Sequence, residues 1–262
     1  AYSGVVSNDN PVSQPVLTSS GTSTDFSENS QLHIPLLNTG NIIRNKGFII
    51  EAEDLVYVSI RVRSSAQAIQ GSQQKFHAGA LVSKGSSALG TEFRIGGFRS
   101  DGAPIPGHAT FASIMATEDD TNLTIEDLPT DIVLINSQNL PVTTRLNKGE
   151  SFILAVSTNA GGDPKDLIGG LITSDKPVVV NIGSATGSFG SGQAGRDYGY
   201  DQIVGADKIG TEYILVRGDG SNPWENALVV AHENNTEIFV NGSSRTLLNA
   251  GQHIVLEGSS YT

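Results

Sequence analysis

The sequence contains no cysteine, which removes disulfides, thiolate zinc sites and thiol catalysis together. Basic residues are also scarce: 16 Lys and Arg stand against 27 Asp and Glu, a net charge of −11 with no cationic cluster. That argues against a nucleic-acid partner, because phosphate binding needs grouped Lys and Arg. No apolar run approaches a membrane span, the longest lying at 177–182, so membrane insertion is not expected. The chain starts at Ala1 with no signal-like segment, which suits a mature secreted protein and an excised fragment alike. The five histidines show no H-E-x-x-H pattern, and no G-x-S-x-G elbow occurs.

What the sequence has in quantity is 30 glycines, many Ser, Thr and Asn, and short apolar alternations. This composition predicts strands joined by turns, hence an all-β chain. At 262 residues there is room for one large domain or two ordinary ones.

The informative feature is a duplication. Gly90-Thr91-Glu92-Phe93 answers to Gly210-Thr211-Glu212-Tyr213, Glu118-Asp119-Asp120-Thr121 to Glu233-Asn234-Asn235-Thr236, and Leu146-Asn147-Lys148-Gly149 to Leu248-Asn249-Ala250-Gly251. The offsets of 120, 115 and 102 residues shrink in order, as when one module is repeated with shorter loops. Residues 47–60 read like 170–182 with one residue more, Leu37-Asn38-Thr39-Gly40 is a further L-N-x-G, and Ser7-Asn8-Asp9-Asn10 is a worn acidic turn. The expected division is a partial first module at 1–89, a whole second at 90–209 and the start of a third at 210–262, cut from a longer array.

Within each module, 111–117 and 227–232 are expected as strands leading into acidic turns, with 123–125 and 238–240 returning. Asn241-Gly242 predicts a type I′ hairpin, since both residues must take positive φ. Residues 49–62 read as a strand, or as a hairpin broken at Glu53-Asp54. Six or seven strands per module favour tandem β-sandwich-like units. A single larger β-rich domain or a propeller is the alternative, although a propeller blade is normally much shorter.

Each candidate site has a plainer reading beside it. The run 190–195 (GSGQAG) fits G-x-G-x-x-G, but no amphipathic helix follows to hold a pyrophosphate, so a loop is preferred. Arg217-Gly218-Asp219 matches an adhesion tripeptide, while Arg99-Ser100-Asp101-Gly102 nearby in the other copy points to a shared turn. Glu118, Asp119, Asp120 and Glu233 offer hard oxygen ligands for calcium, without EF-hand spacing; Asx turns explain them as well. Trp224, Tyr198 and Tyr200, with Asp219, are the ligand-contact candidates, the aromatics as a platform for a sugar or a protein surface. Tyr213, the counterpart of Phe93, is expected to be buried. No catalytic set emerges, and no cofactor is expected beyond the calcium reading.

The run Gly195-Arg196-Asp197-Tyr198-Gly199-Tyr200-Asp201-Gln202-Ile203-Val204, followed by G-T-E-Y-I-L-V-R-G, V-V-A-H-E-N-N-T-E-I-F-V-N-G and L-N-A-G-Q, resembles the amino-terminal domain of the IgGFc-binding protein. It is most similar to versions in very large surface proteins of gliding Bacteroidetes. The resemblance implies an exported, non-enzymatic adhesin carried by the type IX secretion system, displayed on the outer membrane and used in attachment or gliding motility. A glycan or protein on an extracellular surface would be its partner. The mammalian namesake is rich in cysteine and this chain has none, so antibody binding is not carried over. A carbohydrate-binding module of an extracellular protein is the alternative.

Overall fold

The computed structural model describes residues 36–44, 46–47, 49–66, 75–98, 109–136, 139–157, 166–187, 197–218 and 225–256. The 190–195 glycine run, Asp219 and Trp224 lie outside the described residues. Within them the chain is all β, with three short 3-10 turns and no α-helix. In chain order the strands are β1 (Ile42–Ile43), β2 (Ser59–Ala66), β3 (Lys75–Val82), β4 (Gly90–Arg94), β5 (Ala109–Ala116), β6 (Thr121–Glu126), β7 (Val142–Leu146), β8 (Ser151–Ser157), β9 (Leu171–Gly187) and β10 (Asp197–Ile203). They continue with β11 (Ala227–Val230), β12 (Thr236–Val240), β13 (Ser243–Leu248) and β14 (His253–Leu256).

The 17-residue β9 is the spine of an eight-stranded antiparallel sheet in the order β1-β8-β5-β9-β6-β7, with β4 and β10 also on β9. Its second half pairs with β5 through residues 178–184 and with β10 through 180–187. Its first half pairs with β6 and with β4. Since pairings that overlap along β9 must use opposite edges, β5 and β6 lie end to end along one edge, β10 and β4 along the other. One strand thus serves two layers, β1-β8-β5-β9-β10 and β7-β6-β9-β4, as in sandwiches whose corners are made by strands that change sheet.

The change falls at Asp175-Lys176-Pro177, which pairs with neither β5 nor β6. Pro177 has no N–H for a ladder, and Thr117 Oγ1 donates to its carbonyl at 2.6 Å. The Asp175 carboxylate accepts from the Asn122 backbone N–H at 2.8 Å and from its side-chain amide at 2.6 Å, holding β6 beside the bend. Phe93, Leu123, Ile125, Leu146 and Ile172 from one layer and Ile114, Leu154 and Val180 from the other share a single buried core. Each such side chain contributes roughly 1.5–3 kcal/mol through removal from water.

Several expectations need correction. Residues 49–58 form no strand, and pairing starts at Ser59 in β2. The acidic turn at 118–120 does not close a hairpin, because β5 and β6 bind β9 rather than each other. Sequence alternation looks the same whether a turn reverses a strand or carries the chain between layers. Tyr213 is 67% exposed and in no strand, whereas Phe93 is fully buried in β4. The Asn241-Gly242 hairpin is as expected, with φ of 51° and 77° between β12 and β13.

Candidate functional site

The two copies are most alike where the chain crosses between layers. In the second copy the crossing from β5 to β6 lies against the crossing from β7 to β8. Asp120 takes φ 58° and Gly149 φ 80°, the left-handed region in which Asp, Asn and Gly are tolerated. Thr121 Oγ1 donates to the Glu118 carbonyl at 2.9 Å, the Asp120 N–H to Asn147 Oδ1 at 3.2 Å, the Lys148 N–H to Asp119 Oδ1 at 3.0 Å, and the Gly149 N–H to the Ala116 carbonyl at 2.9 Å.

The third copy repeats each bond. Thr236 Oγ1 donates to Glu233 at 2.9 Å, the Asn235 N–H to Asn249 Oδ1 at 3.2 Å, the Ala250 N–H to Asn234 Oδ1 at 3.2 Å, and the Gly251 N–H to Ala231 at 2.9 Å. Strand registers agree too: Thr121↔Leu146 and Met115↔Ser151 correspond to Thr236↔Leu248 and Val230↔His253. The last member of the corner was not singled out in the sequence. Glu150 Oε2 accepts the Asn147 N–H at 2.9 Å, and Gln252 Oε1 accepts the Asn249 N–H at 2.8 Å. Its signal was present as L-N-x-G-[EQ].

Two of the four side chains considered for calcium bond within the second copy's corner. Asp119 accepts the Lys148 N–H, Asp120 pairs with Arg145 at 2.6 Å, and Glu118 and Glu233 occupy equivalent places in different copies. Among the described residues no three His, Asp or Glu side chains are grouped so as to hold a metal.

Acid should loosen the second copy at two carboxylates. The Asn147 N–H, with help from Arg44, holds the Glu150 carboxyl below its ordinary value, and the Asn122 side chain and N–H do the same for Asp175. A folded-state pKa lowered in this way gives stability that is present above the ordinary value and lost as pH falls through the lowered one. Urea midpoints should therefore fall below about pH 4. Glu150→Gln, which copies Gln252, should keep the corner at pH 7 and flatten that fall.

Arg94 joins the copies. Its guanidinium, 8% exposed, bonds to Asp127 Oδ2 at 2.8 Å, the Gly169 carbonyl at 2.9 Å and the His232 carbonyl at 3.3 Å. His232 Nε2 lies 3.1 Å from Glu92 Oε1. Beside them the Gly169 and Gly251 backbones approach so closely that a Cβ on Gly169 would stand 2.0 Å from the Gly251 carbonyl oxygen. These bonds tie the third copy to the second, which is the chemistry of a clamp. Nothing in the sequence pointed to Arg94, since Ile214 stands at its place in the other copy.

Of the contact candidates, Tyr198 and Tyr200 are brought together on β10, with ring centroids 6.0 Å apart and Phe111 6.3 Å from Tyr200. Asn181 donates to the Tyr200 hydroxyl at 2.8 Å. Both tyrosines are half-buried, and burial raises both phenol pKa values.

Residues 78–261 match the profile of a protein family described as IgGFc binding protein. No curated protein matches the chain, and no solved structure matches it.

Proposed function

The chain belongs to the IgGFc binding protein family, and from that premise we propose that it is a non-enzymatic binding segment of an extracellular protein. Its finer assignment is an adhesin or stalk piece of a bacterial surface protein of the Bacteroidetes kind, exported by the type IX route, held at the outer membrane and serving attachment or gliding. The observation that carries this reading is what recurs between the copies. The repeated residues Asp120/Asn235, Asn147/Asn249, Gly149/Gly251 and Glu150/Gln252 all build the corner. A scaffold that keeps its corners and varies elsewhere suits a repeated projecting array, with modules divided at 90 and 210.

Displaying the chain on the outer membrane of a non-adherent bacterium, and counting cells retained under flow on glycan-coated and protein-coated surfaces, tests it. Retention above that of cells without the chain is expected. Equal counts on every surface would remove the adhesin reading.

The adjacent Tyr198 and Tyr200 rings favour a second reading, carbohydrate binding by ring stacking, with Trp224 and Asp219 as further contacts. A glycan array in which Tyr200→Ala abolishes the signal would establish it, and no signal from the unaltered chain would remove it.

A further inference from the structure

The second copy is entered and left at one place. The chain comes in from β3 through residues 83–89 to Gly90 and goes out from β10 through residues 204–210, and each connection holds a short 3-10 turn, Gly85–Ala88 in the first and Ala206–Lys208 in the second. The two connections lie against each other. A Cβ on Gly90 would stand 3.0 Å from Gly205 Cα, and one on Gly205 3.2 Å from Gly90 Cα, so the backbones meet through two residues with no side chain to hold them apart.

Side chains tie this meeting point from both directions. Gln202, buried on β10, accepts the Lys84 N–H at 2.7 Å and the Ser83 hydroxyl at 3.2 Å through Oε1. Lys84 Nζ reaches the Gln202 carbonyl and lies 3.0 Å from Asp201 Oδ1. In the opposite sense, Lys208 Nζ donates to the Leu89 carbonyl at 2.7 Å. Before the entry, β3 is pressed onto β10 at Gly79, where a Cβ would meet the Tyr198 ring at 2.6 Å. These bonds belong to neither a corner nor a strand ladder; they join the way in to the way out.

The sheet offers little resistance of its own between these points. Gly90 pairs with Val178 and Ile203 with Val180, two residues apart along β9, and from there β4 runs to Leu171 while β10 arrives from Gly187. A pull that separates entry from exit strips each strand from its near end, one ladder bond at a time, each of them weak alone. The ties at Gln202 and Lys208 stand in parallel across the same gap and take the load together.

We propose that these ties form a tension latch. Load on the chain crosses from Ser83-Lys84 to Asp201-Gln202 and from Leu89 to Lys208, by-passing residues 91–200, until the ties part and the second copy unravels as a reserve of length. The use of such a latch rests on the stalk reading above. The force at which the copy opens is set by the ties, because forced unfolding follows the rate of opening rather than the total stability.

Optical-tweezer pulling of the whole chain tests this, and the absence of cysteine leaves the attachment points free to choose. With handles on Val82→Cys and Glu212→Cys, both at exposed positions, the chain should open in one event that lengthens it by about 40 nm, at 3.3–3.6 Å per residue. Adding Gln202→Ala/Lys208→Ala should lower the opening force, and Gln202→Glu, which keeps an acceptor oxygen for the Lys84 N–H, should retain the original force. Handles on Glu126→Cys and Lys148→Cys load β6 and β7 without crossing the latch, and there the double alanine variant should open at the force of the unaltered latch. An undiminished force for that variant between residues 82 and 212 would overturn the proposal. An equal drop at both pairs of handles would overturn it too, since that marks a general loss of stability. The measurement needs no adhesion, so the latch and the adhesin reading fail separately.

Discussion

Phe93→Ala is expected to destabilise the chain by about 3–5 kcal/mol, whereas Tyr213→Ala should change stability by no more than ~0.5 kcal/mol. The two residues share the G-T-E-[FY] landmark, so any rule based on residue type would give them equal weight. Phe93, in register with Ile172 of β9, is fully buried with the two-layer core around it. Truncation there forfeits transfer energy and leaves a cavity that a close-packed core fills only in part. The Tyr213 ring is largely in water, so its loss exposes little that is new. Guanidinium unfolding of both variants, monitored by far-UV circular dichroism, measures the contrast. Equal costs would mean that Tyr213 is packed as Phe93 is.

Gly169→Ala should separate the third copy from the second. Gly169 has φ 91°, and a Cβ would meet the Gly251 carbonyl oxygen at 2.0 Å, a backbone atom that no side-chain rotation can move aside. Gly149, at φ 80° with nothing within 4 Å of its Cβ position, isolates the conformational part of the cost. Gly149→Ala should therefore lose about 1–3 kcal/mol from backbone strain alone. Gly169→Ala adds an overlap that can be relieved only by moving the backbones apart, which also pulls the Gly169 and His232 carbonyls away from Arg94. Amide hydrogen exchange separates the two effects. Gly169→Ala should release protection at Ala231 and Gly251, whose N–H groups bond within the third copy's corner, while Gly149→Ala should leave those amides unchanged. Unchanged protection in Gly169→Ala would show that the third copy is held independently of this joint.

The clamp at Arg94 was invisible in the sequence because a clamp between copies need not be repeated within them. Each copy is built by residues that must recur. The residues that join copies occur once per junction, and one side of the junction is Arg94 where the next copy has Ile214. His232 has the same character. It replaces Thr117, whose hydroxyl holds the bend of β9, and instead faces Glu92 of the preceding copy.

The corners were legible because their rules are local. An Asp or Asn at positive φ, a Gly three residues after a buried Leu, and side-chain oxygens within reach of neighbouring N–H groups are all set by a few adjacent residues. The same holds for the Asn241-Gly242 turn. The match to the IgGFc binding protein family over residues 78–261 agrees with a resemblance carried by the same landmarks.

By itself, then, the sequence determined the β class, the copied landmarks and the local geometry of each corner, since these follow from backbone preferences and short-range hydrogen bonds. Only the tertiary structure decided which copies of an apolar residue are buried. Burial depends on whether a strand distant in the chain lies alongside, as β9 does for Phe93, and no local pattern at residue 93 or 213 encodes that neighbour.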